Sequence, residues 1–571
     1  MLPAGSGANI HALPGFARLV SFMGSLKRGI TLIKRHAVFA SIFVGMIALG
    51  LRLLLLTVIP PPRPAGPDEF SYLLAADTFS HGRLTNPTHP MWIHFETLHE
   101  LSRPTYASKY PPGMGLMLAF GQVVFHAPWV AVTISMAVLC GLITWALWTW
   151  LPPPWAIAGG LLAALQLTGT YWDSYWGGTL AAIGGALLVG ALARLMRRPA
   201  RAPAVTFGLG LAILANTRPY EGFVLGGLCT CLLFSRLISF VRRGRQSPAH
   251  LVRVIGLPIA SILLPTMLWM GYYNYRVTGR PLRLPYVAYE NQYSTASQFL
   301  WSTQVQGERK YNHELLRAVW VDWYLREEQY DRQHILLAHF RDLVMLYLFC
   351  LSLPLLLVLL YSSWHLMHSR PLRIPLMLLL LFYLGLAAEV AFLPHYFAPA
   401  IVLLFLIITA AVRDVSSRFP KGKIRNLATS ALFCCIALSG VIRVMHPLVR
   451  ADSREFSAER DLVLARLNKE PGNLLVFVRY GPKHNIHNEW VFNDANIDES
   501  RIVWARSMPN GQDEELLDYY PTREAWILED DGETTLWPMK AGPAGAVRKI
   551  LTVPPAKSEH GSDDARDSLS S

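Results

Sequence analysis

Long apolar stretches recur along the chain near 37–59, 128–150, 155–171, 176–194, 204–217, 221–240, 252–274, 344–364, 372–393, 396–412 and 427–446. Each is long enough, or nearly so, to cross the hydrocarbon core of a bilayer as a helix, which takes about 20 residues. The pattern predicts a polytopic α-helical membrane protein with about eleven spans, several of them short. A further apolar run, 113–125, follows Pro111 and Pro112 and is too short to cross, so it is expected to lie along or dip into the outer interface.

Between the spans, basic clusters fall at 27–35, at Arg194, Arg197, Arg198 and Arg201, and at 236–253, 368–373 and 413–425. One threading places all of them on the cytoplasmic side, with the amino terminus inside and the carboxyl terminus outside. The domain reading is then a cytoplasmic segment 1–36, a membrane domain 37–446 with outer loops at 60–112 and 275–343, an outer domain 447–555 and a tail 556–571. Within 447–555, an amphipathic run near 455–468 precedes strand-like segments at 474–480, 501–506 and 523–529, with a helical segment near 513–519, so a small α/β domain is expected. The tail is polar and without apolar periodicity and is expected to be disordered.

Composition agrees with the pattern: 52% of the 571 residues are hydrophobic and 16% charged, and the mean hydropathy is +0.29. The net charge of +13 reads as topology and not as a nucleic-acid surface, because the Lys and Arg residues cluster between apolar stretches. The six cysteines all sit inside apolar stretches, so they outline no disulfide framework. The segment 37–59 reads as a retained first span, since it is long and lacks a small-residue cleavage site. An integral protein of a bacterial inner (plasma) membrane is expected.

The polar residues that could carry chemistry share the outer side of this threading. Asp68 and Glu69 are adjacent carboxylates after the first span; they suit a general base at a partly dehydrated rim, while the commoner use of acids so placed is the capping of a helix that starts nearby. Lys109 precedes a double proline at headgroup depth, where it suits a phosphate or snorkels to lipid headgroups. Arg218 sits in a very short outer turn, where arginine is disfavoured without an anionic partner; Glu221 and a lipid phosphate are the alternatives. Tyr220 lies in the same turn. His395 and Tyr396 could donate to phosphate or sugar hydroxyls, or simply belong to an aromatic belt. Arg276 opens the second outer loop, spaced among aromatic residues that could line a sugar or phosphate cleft. No Walker motif, Rossmann glycine pattern, HExxH or Cys/His metal spacing is present.

The stretches D-E-F-S-Y at 68–72, K-Y-P-P-G at 109–113, N-T-R-P-Y-E at 216–221 and P-H-Y-F-A-P at 394–399 together resemble the GT-C fold of glycosyltransferases. The particular likeness is to family 39, which includes protein O-mannosyltransferases and bacterial aminoarabinose transferases of lipid A. The resemblance covers roughly 37–446. It implies a polyprenyl-phosphate sugar donor, membrane lipids around the spans, and a glycan, lipid or protein acceptor. It implies that Asp68 deprotonates the acceptor with Glu69 beside it, and that Lys109 lies near the donor phosphate; Arg218 is added here as a second phosphate contact. No tightly held cofactor is implied, and a divalent metal is neither required nor indicated. The carboxyl-terminal region is unlike the repeat domain of eukaryotic protein mannosyltransferases. Two other classes fit the spans alone. One is a transporter or flippase for a lipid-linked or anionic substrate, against which stand the lack of an inverted repeat and the scarcity of ionisable residues in the spans. The other is a scaffold presenting the outer domain to a partner.

Overall fold

The computed structural model describes residues 36–170, 172–302, 309–390, 392–445, 455–509 and 511–541. The expected amino-terminal segment and the expected disordered tail lie outside these residues, apart from His36. The chain divides into two compact units, one of 1–89 and 97–453, the other of 90–96 and 454–571. The short stretch 90–96 therefore belongs with the carboxyl-terminal unit, a division that linear reading of the outer loop did not anticipate.

In the first unit, α1 (Ala37–Leu55), α2 (Pro67–Ser80), the hairpin strands β1 (Glu100–Leu101) and β2 (Ala107–Ser108), α3 (Pro112–Phe125), α4 (Pro128–Leu147) and α5 (Pro153–Leu167) come first. They are followed by α6 (Gly178–Arg197), α7 (Arg201–Ala215), α8 (Pro219–Arg242), α9 (Pro248–Thr278) and α10 (Pro285–Tyr293). The last membrane helices are α11 (Ile335–Cys350), α12 (Leu353–His368), α13 (Arg373–Leu386), α14 (Ile401–Arg418) and α15 (Lys423–Met445). Many of these helices begin with proline in the first turn, where the missing N–H has no intrahelical partner to lose.

All eleven apolar stretches are helical over most of their length, and seven described helices are long and apolar enough to cross a membrane. The short run 113–125 is helical too, as α3, at 14 residues. One expectation is corrected. The stretch 344–364 is no single straight helix but the pair α11 and α12, bent by 119° at the break between them. Pro354 in the first turn of α12 has no N–H to continue the preceding helix and its ring crowds that turn.

Burial separates the centre of the bundle from its rim. Of the apolar window of Pro394–Arg418, 94% is buried, against 22% for α1 and 11% for α9, so α14 runs through the core while α1 and α9 present apolar surface outward. Small residues allow the central helices to approach: a Cβ on Gly210 would lie 2.8 Å from the Gly184 carbonyl oxygen, and one on Gly185 would collide with the carbonyl of Pro399. Under the rim, Arg52 of α1 is fully buried and ion-paired. Its Nε lies 2.6 Å from Asp173, and its terminal nitrogens donate to the carbonyls of Ile59 (3.1 Å) and Pro60 (3.3 Å).

The second unit is α/β, as expected. Helix α16 (Glu455–Leu467) precedes β3 (Leu474–Tyr480), β4 (Ile502–Arg506), α17 (Gln512–Tyr519) and β5 (Glu524–Asp530). A further strand that periodicity did not reveal, β6 (Thr534–Pro538), completes the sheet in the order β4-β3-β5-β6. The first three strands are parallel and β6 is antiparallel to β5. The segment 90–96 joins this unit through His94, whose Nδ1 lies 3.0 Å from the Arg506 carbonyl, and through the Glu96 carbonyl, which accepts from Arg506 Nε at 2.7 Å.

Removing one partner of the Arg52–Asp173 pair leaves a buried charge. Arg52→Met is expected to cost about 3–5 kcal/mol, and Arg52→Met/Asp173→Leu to recover most of it, read as thermal unfolding midpoints in detergent. Gly185→Ala must displace the Pro399 backbone and is expected to cost about 1–3 kcal/mol. Gly227→Ala, with nothing within 4 Å of the new Cβ, is the control that should leave the midpoint in place or raise it, since alanine favours a helix interior over glycine.

Candidate functional site

The start of α2 is set by Gly66, Pro67 and Glu69. Glu69 Oε2 accepts from the backbone nitrogens of Ala65 (2.9 Å) and Gly66 (3.3 Å), closing a capping arrangement. Asp68, one residue before it, meets different neighbours. Its Oδ1 accepts a hydrogen bond from the Tyr110 hydroxyl and lies 3.2 Å from His99 Nδ1. Tyr110 Oη is also 3.2 Å from His99 Nδ1, so three segments of chain meet at one triangle of polar atoms.

The β1–β2 hairpin brings two of these together. His99 directly precedes β1, Lys109 directly follows β2, and Lys109 N donates to the His99 carbonyl at 3.2 Å. The Lys109 side chain is only 4% exposed and so does not snorkel. Its ammonium lies 3.3 Å from Glu290 and within 4.8 Å of the ring centroids of Tyr286 and Tyr289, 5.4 Å of Tyr110 and 5.7 Å of Trp320. Aromatic faces attract a cation that has lost its water, so this cage holds the charge in place.

Burial raises the Asp68 carboxyl, but His99, Lys109 and His395 outweigh it and hold the group well below the usual carboxylate range. His99 is lowered by burial and by Lys109 against the opposing pull of Asp68. The pair at neutral pH is then a carboxylate and a neutral imidazole, and the ring nitrogen facing the carboxylate is the one that carries hydrogen. Tyr72, stacked on Tyr110 with centroids 4.5 Å apart, is pushed up to about 12 by burial, against the pull of Arg218. It remains a neutral hydroxyl between the two charges.

Arg218 caps the amino end of α8, and its side chain is 12% exposed. The turn that carries it is tied to α3 by a hydrogen bond from Gly113 N to the Asn216 carbonyl at 2.8 Å. A Cβ on Gly113 would stand 2.6 Å from that oxygen, so the glycine of K-Y-P-P-G permits the approach. The guanidinium lies over the Tyr396 ring at 4.9 Å and 3.7 Å from Glu221 Oε1, beyond hydrogen-bond reach, and its buried Nε has no hydrogen-bond partner among the described residues. Arg218 and Asp68 lie within electrostatic reach of each other. His395, 2% exposed, and Tyr396 sit on the 3-10 turn Pro394–Ala400, with their ring centroids 4.7 Å apart.

The structure thus gathers Asp68, Lys109, Arg218, Glu221, His395 and Tyr396 into one neighbourhood. Three other candidates have separate partners. Glu69 caps α2; Tyr220 donates to the Gly385 carbonyl at 2.7 Å and tilts against Phe299; Arg276, exposed near the end of α9, donates to the Tyr272 hydroxyl one turn away at 3.1 Å. Sequence reading missed His99, Tyr110, Tyr72 and the rings around Lys109. Tyr110 stood inside a quoted motif, whereas His99 lies in a stretch with no periodicity or motif to mark it. No three His, Cys, Asp or Glu side chains converge on a metal-sized site among the described residues.

No protein-family model matches the chain, and neither does any curated protein. Solved structures do align with it. ArnT from Cupriavidus metallidurans bound to undecaprenyl phosphate aligns at 11% identity and a TM-score of 0.48, over 85% of this chain and 92% of that one. The Archaeoglobus fulgidus oligosaccharyltransferase tethered to an acceptor peptide containing the NVT sequon aligns at 11% identity and a TM-score of 0.48, over 87% of this chain and 69% of that one. The same organism's oligosaccharyltransferase AglB, in complex with an inhibitory peptide and a dolichol-phosphate, aligns at 11% identity and a TM-score of 0.42, over 87% and 70%. At these values the likenesses by themselves carry nothing about activity.

Proposed function

We propose that this chain is a membrane glycosyltransferase of the GT-C kind that moves a sugar from a polyprenyl-phosphate donor to an acceptor at the extracytoplasmic face. The observation that carries the reading is a buried arginine, Arg218, whose side chain makes no hydrogen bond among the described residues and which lies within electrostatic reach of the Asp68 carboxylate. An arginine in that state suits a phosphate oxygen, which its planar fork can bind at two points. The order of the four motifs along the chain supports the same reading, as does the position of the basic clusters for the outward orientation.

In the proposed reaction the acceptor hydroxyl attacks the anomeric carbon, the bond from that carbon to the phosphate oxygen breaks, and polyprenyl phosphate departs. The acceptor proton passes to Asp68. A carboxylate held this low is a weak base, so it takes the proton late, once the new bond has made the acceptor oxygen acidic. Arg218 at the helix start stabilises the charge that develops on the leaving phosphate, with Lys109 in its aromatic cage adding to the local positive field. In this reaction His395 and Tyr396 contact the sugar. The lipid chain lies against the apolar helices.

Undecaprenyl phosphate added to the purified protein is expected to raise its unfolding midpoint. Arg218→Gln should weaken that binding by about 10- to 100-fold, the worth of a hydrogen bond to a charged group. Asp68→Asn should keep the binding and lose transfer from polyprenyl-phosphate sugars by about 100-fold or more; undiminished transfer would remove the carboxylate from the mechanism. The pH dependence has a definite sign. A carboxyl lowered in the fold contributes stability that is complete above its unfolded value of about 3.9 and is lost only as pH falls through the lower folded value. The difference in unfolding midpoint between wild type and Asp68→Asn should therefore stay constant from about pH 8 down to about pH 7, above the range in which the coupled His99 titrates. For orientation, His81, whose side chain is 59% exposed, gives the probe: His81→Cys, in a chain whose own cysteines are replaced, should react with a membrane-impermeant maleimide added outside the cell.

A further inference from the structure

His99 is held in an expensive position. Its backbone is left-handed, with φ at +64°, a region that costs a residue other than glycine about 1 kcal/mol and that asparagine tolerates best among side-chain-bearing residues. Both backbone polar groups are nevertheless committed. Its N–H donates to the Tyr289 hydroxyl at 2.9 Å, and its carbonyl accepts from Ser71 Oγ at 2.6 Å and from Lys109 N at 3.2 Å. Ser71 Oγ is itself 2.7 Å from Ser108 Oγ, which fastens the turn to both α2 and the hairpin. The ring stands edge-on to Tyr110 and to Tyr289, at interplanar angles of 89° and 86°. Backbone and ring together leave the imidazole little freedom except to present Nδ1 to Asp68 and Tyr110.

Resting on the transferase reading above, we propose that His99 is a positioning residue for the transfer. Its Nδ1–H, shared between Asp68 Oδ1 and Tyr110 Oη, fixes the carboxylate against the acceptor. If the chain merely needed a left-handed turn between α2 and the hairpin, glycine would supply it without strain. The ring justifies the strained backbone through the hydrogen bond it delivers, and strain of this sort is retained where a site over-determines it. Asp68 and its partner then come from segments 31 residues apart, locked by Ser71, which belongs to the same helix as Asp68.

The test separates the ring from the backbone. Full-length wild type and the variants His99→Ala, His99→Asn and His99→Gly are assayed for release of undecaprenyl phosphate from undecaprenyl-phosphate-linked hexose and pentose, with membrane extract as acceptor. Asparagine places an amide N–H near the position of Nδ1–H and accepts the left-handed backbone; glycine accepts the backbone and offers no donor. His99→Asn is expected to regain most of the rate, while His99→Ala and His99→Gly lose kcat by about 10- to 100-fold with little change in donor KM. Equal rates for the glycine and asparagine variants would overturn the proposal, since the residue would then serve only the turn. A wild type that releases no lipid phosphate overturns the transferase reading and with it the role of His99 in transfer. A separate readout does not depend on turnover: 15N-histidine NMR of the full chain should show His99 protonated at Nδ1, with the signal displaced in Asp68→Asn. A His99 signal unmoved by that substitution would deny the hydrogen bond itself.

Discussion

A charge inside an apolar helical bundle is costly unless its hydrogen-bonding groups are met, and this single constraint orders the polar side of the structure. Arg52 meets it with Asp173 and two carbonyls, Arg443 with Gln166 and the Leu348 carbonyl, and Arg194 with the Gly190 and Trp145 carbonyls and the face of Trp145. Those arginines hold helices and loops together. Arg218 departs from that pattern, with a tyrosine ring beneath it and a carboxylate just out of hydrogen-bond range. Arg52 and Arg443 also carry a buried Nε without a hydrogen-bond partner, but their terminal nitrogens are bonded, whereas the Arg218 side chain makes no hydrogen bond among the described residues.

The surroundings of Arg218 follow from short-range rules acting in concert. Proline and Glu69 start α2 at a defined residue, so the side chain before Glu69 is free to face the hairpin. The hairpin places His99 and Lys109 side by side, one toward Asp68 and the other into rings from α10 and from the π-helical stretch Ala318–Leu325. Gly113 lets α3 close on the turn that carries Arg218. Gly185 does the same for the turn that carries His395 and Tyr396, by allowing α6 to press on Pro399. Two glycines thus decide where three functional side chains, Arg218, His395 and Tyr396, meet.

The carboxyl-terminal unit obeys the same rule by other means. Glu489 is fully buried and receives the Tyr480 hydroxyl at 2.5 Å and the guanidinium of Arg506. Asp530 accepts from Trp490 Nε1 at 2.9 Å. Tyr480, Glu489 and Arg506 are thus bonded to one another, and Arg506 in this resembles Arg52 and not Arg218.

Hydrophobic length and charge placement by themselves determined that this protein is a bundle of membrane helices with a small α/β unit after it, because burial of apolar side chains and the satisfaction of backbone groups in hydrocarbon leave few other solutions. They also marked Asp68, Lys109, Arg218 and His395 as polar residues out of place beside apolar stretches. What they left open was partnership. Asp68 and Glu69 are neighbours with equal title to cap α2, and only the fold assigned the cap to Glu69 and turned Asp68 toward His99. Arg276 was also a candidate in sequence, yet it lies exposed near the end of its own helix, bonded to Tyr272. The break in 344–364 has a local cause in Pro354, whereas the role of His99 arises from contacts with residues far away in the chain, and no local pattern of hydrophobic and polar positions encodes contacts at that range.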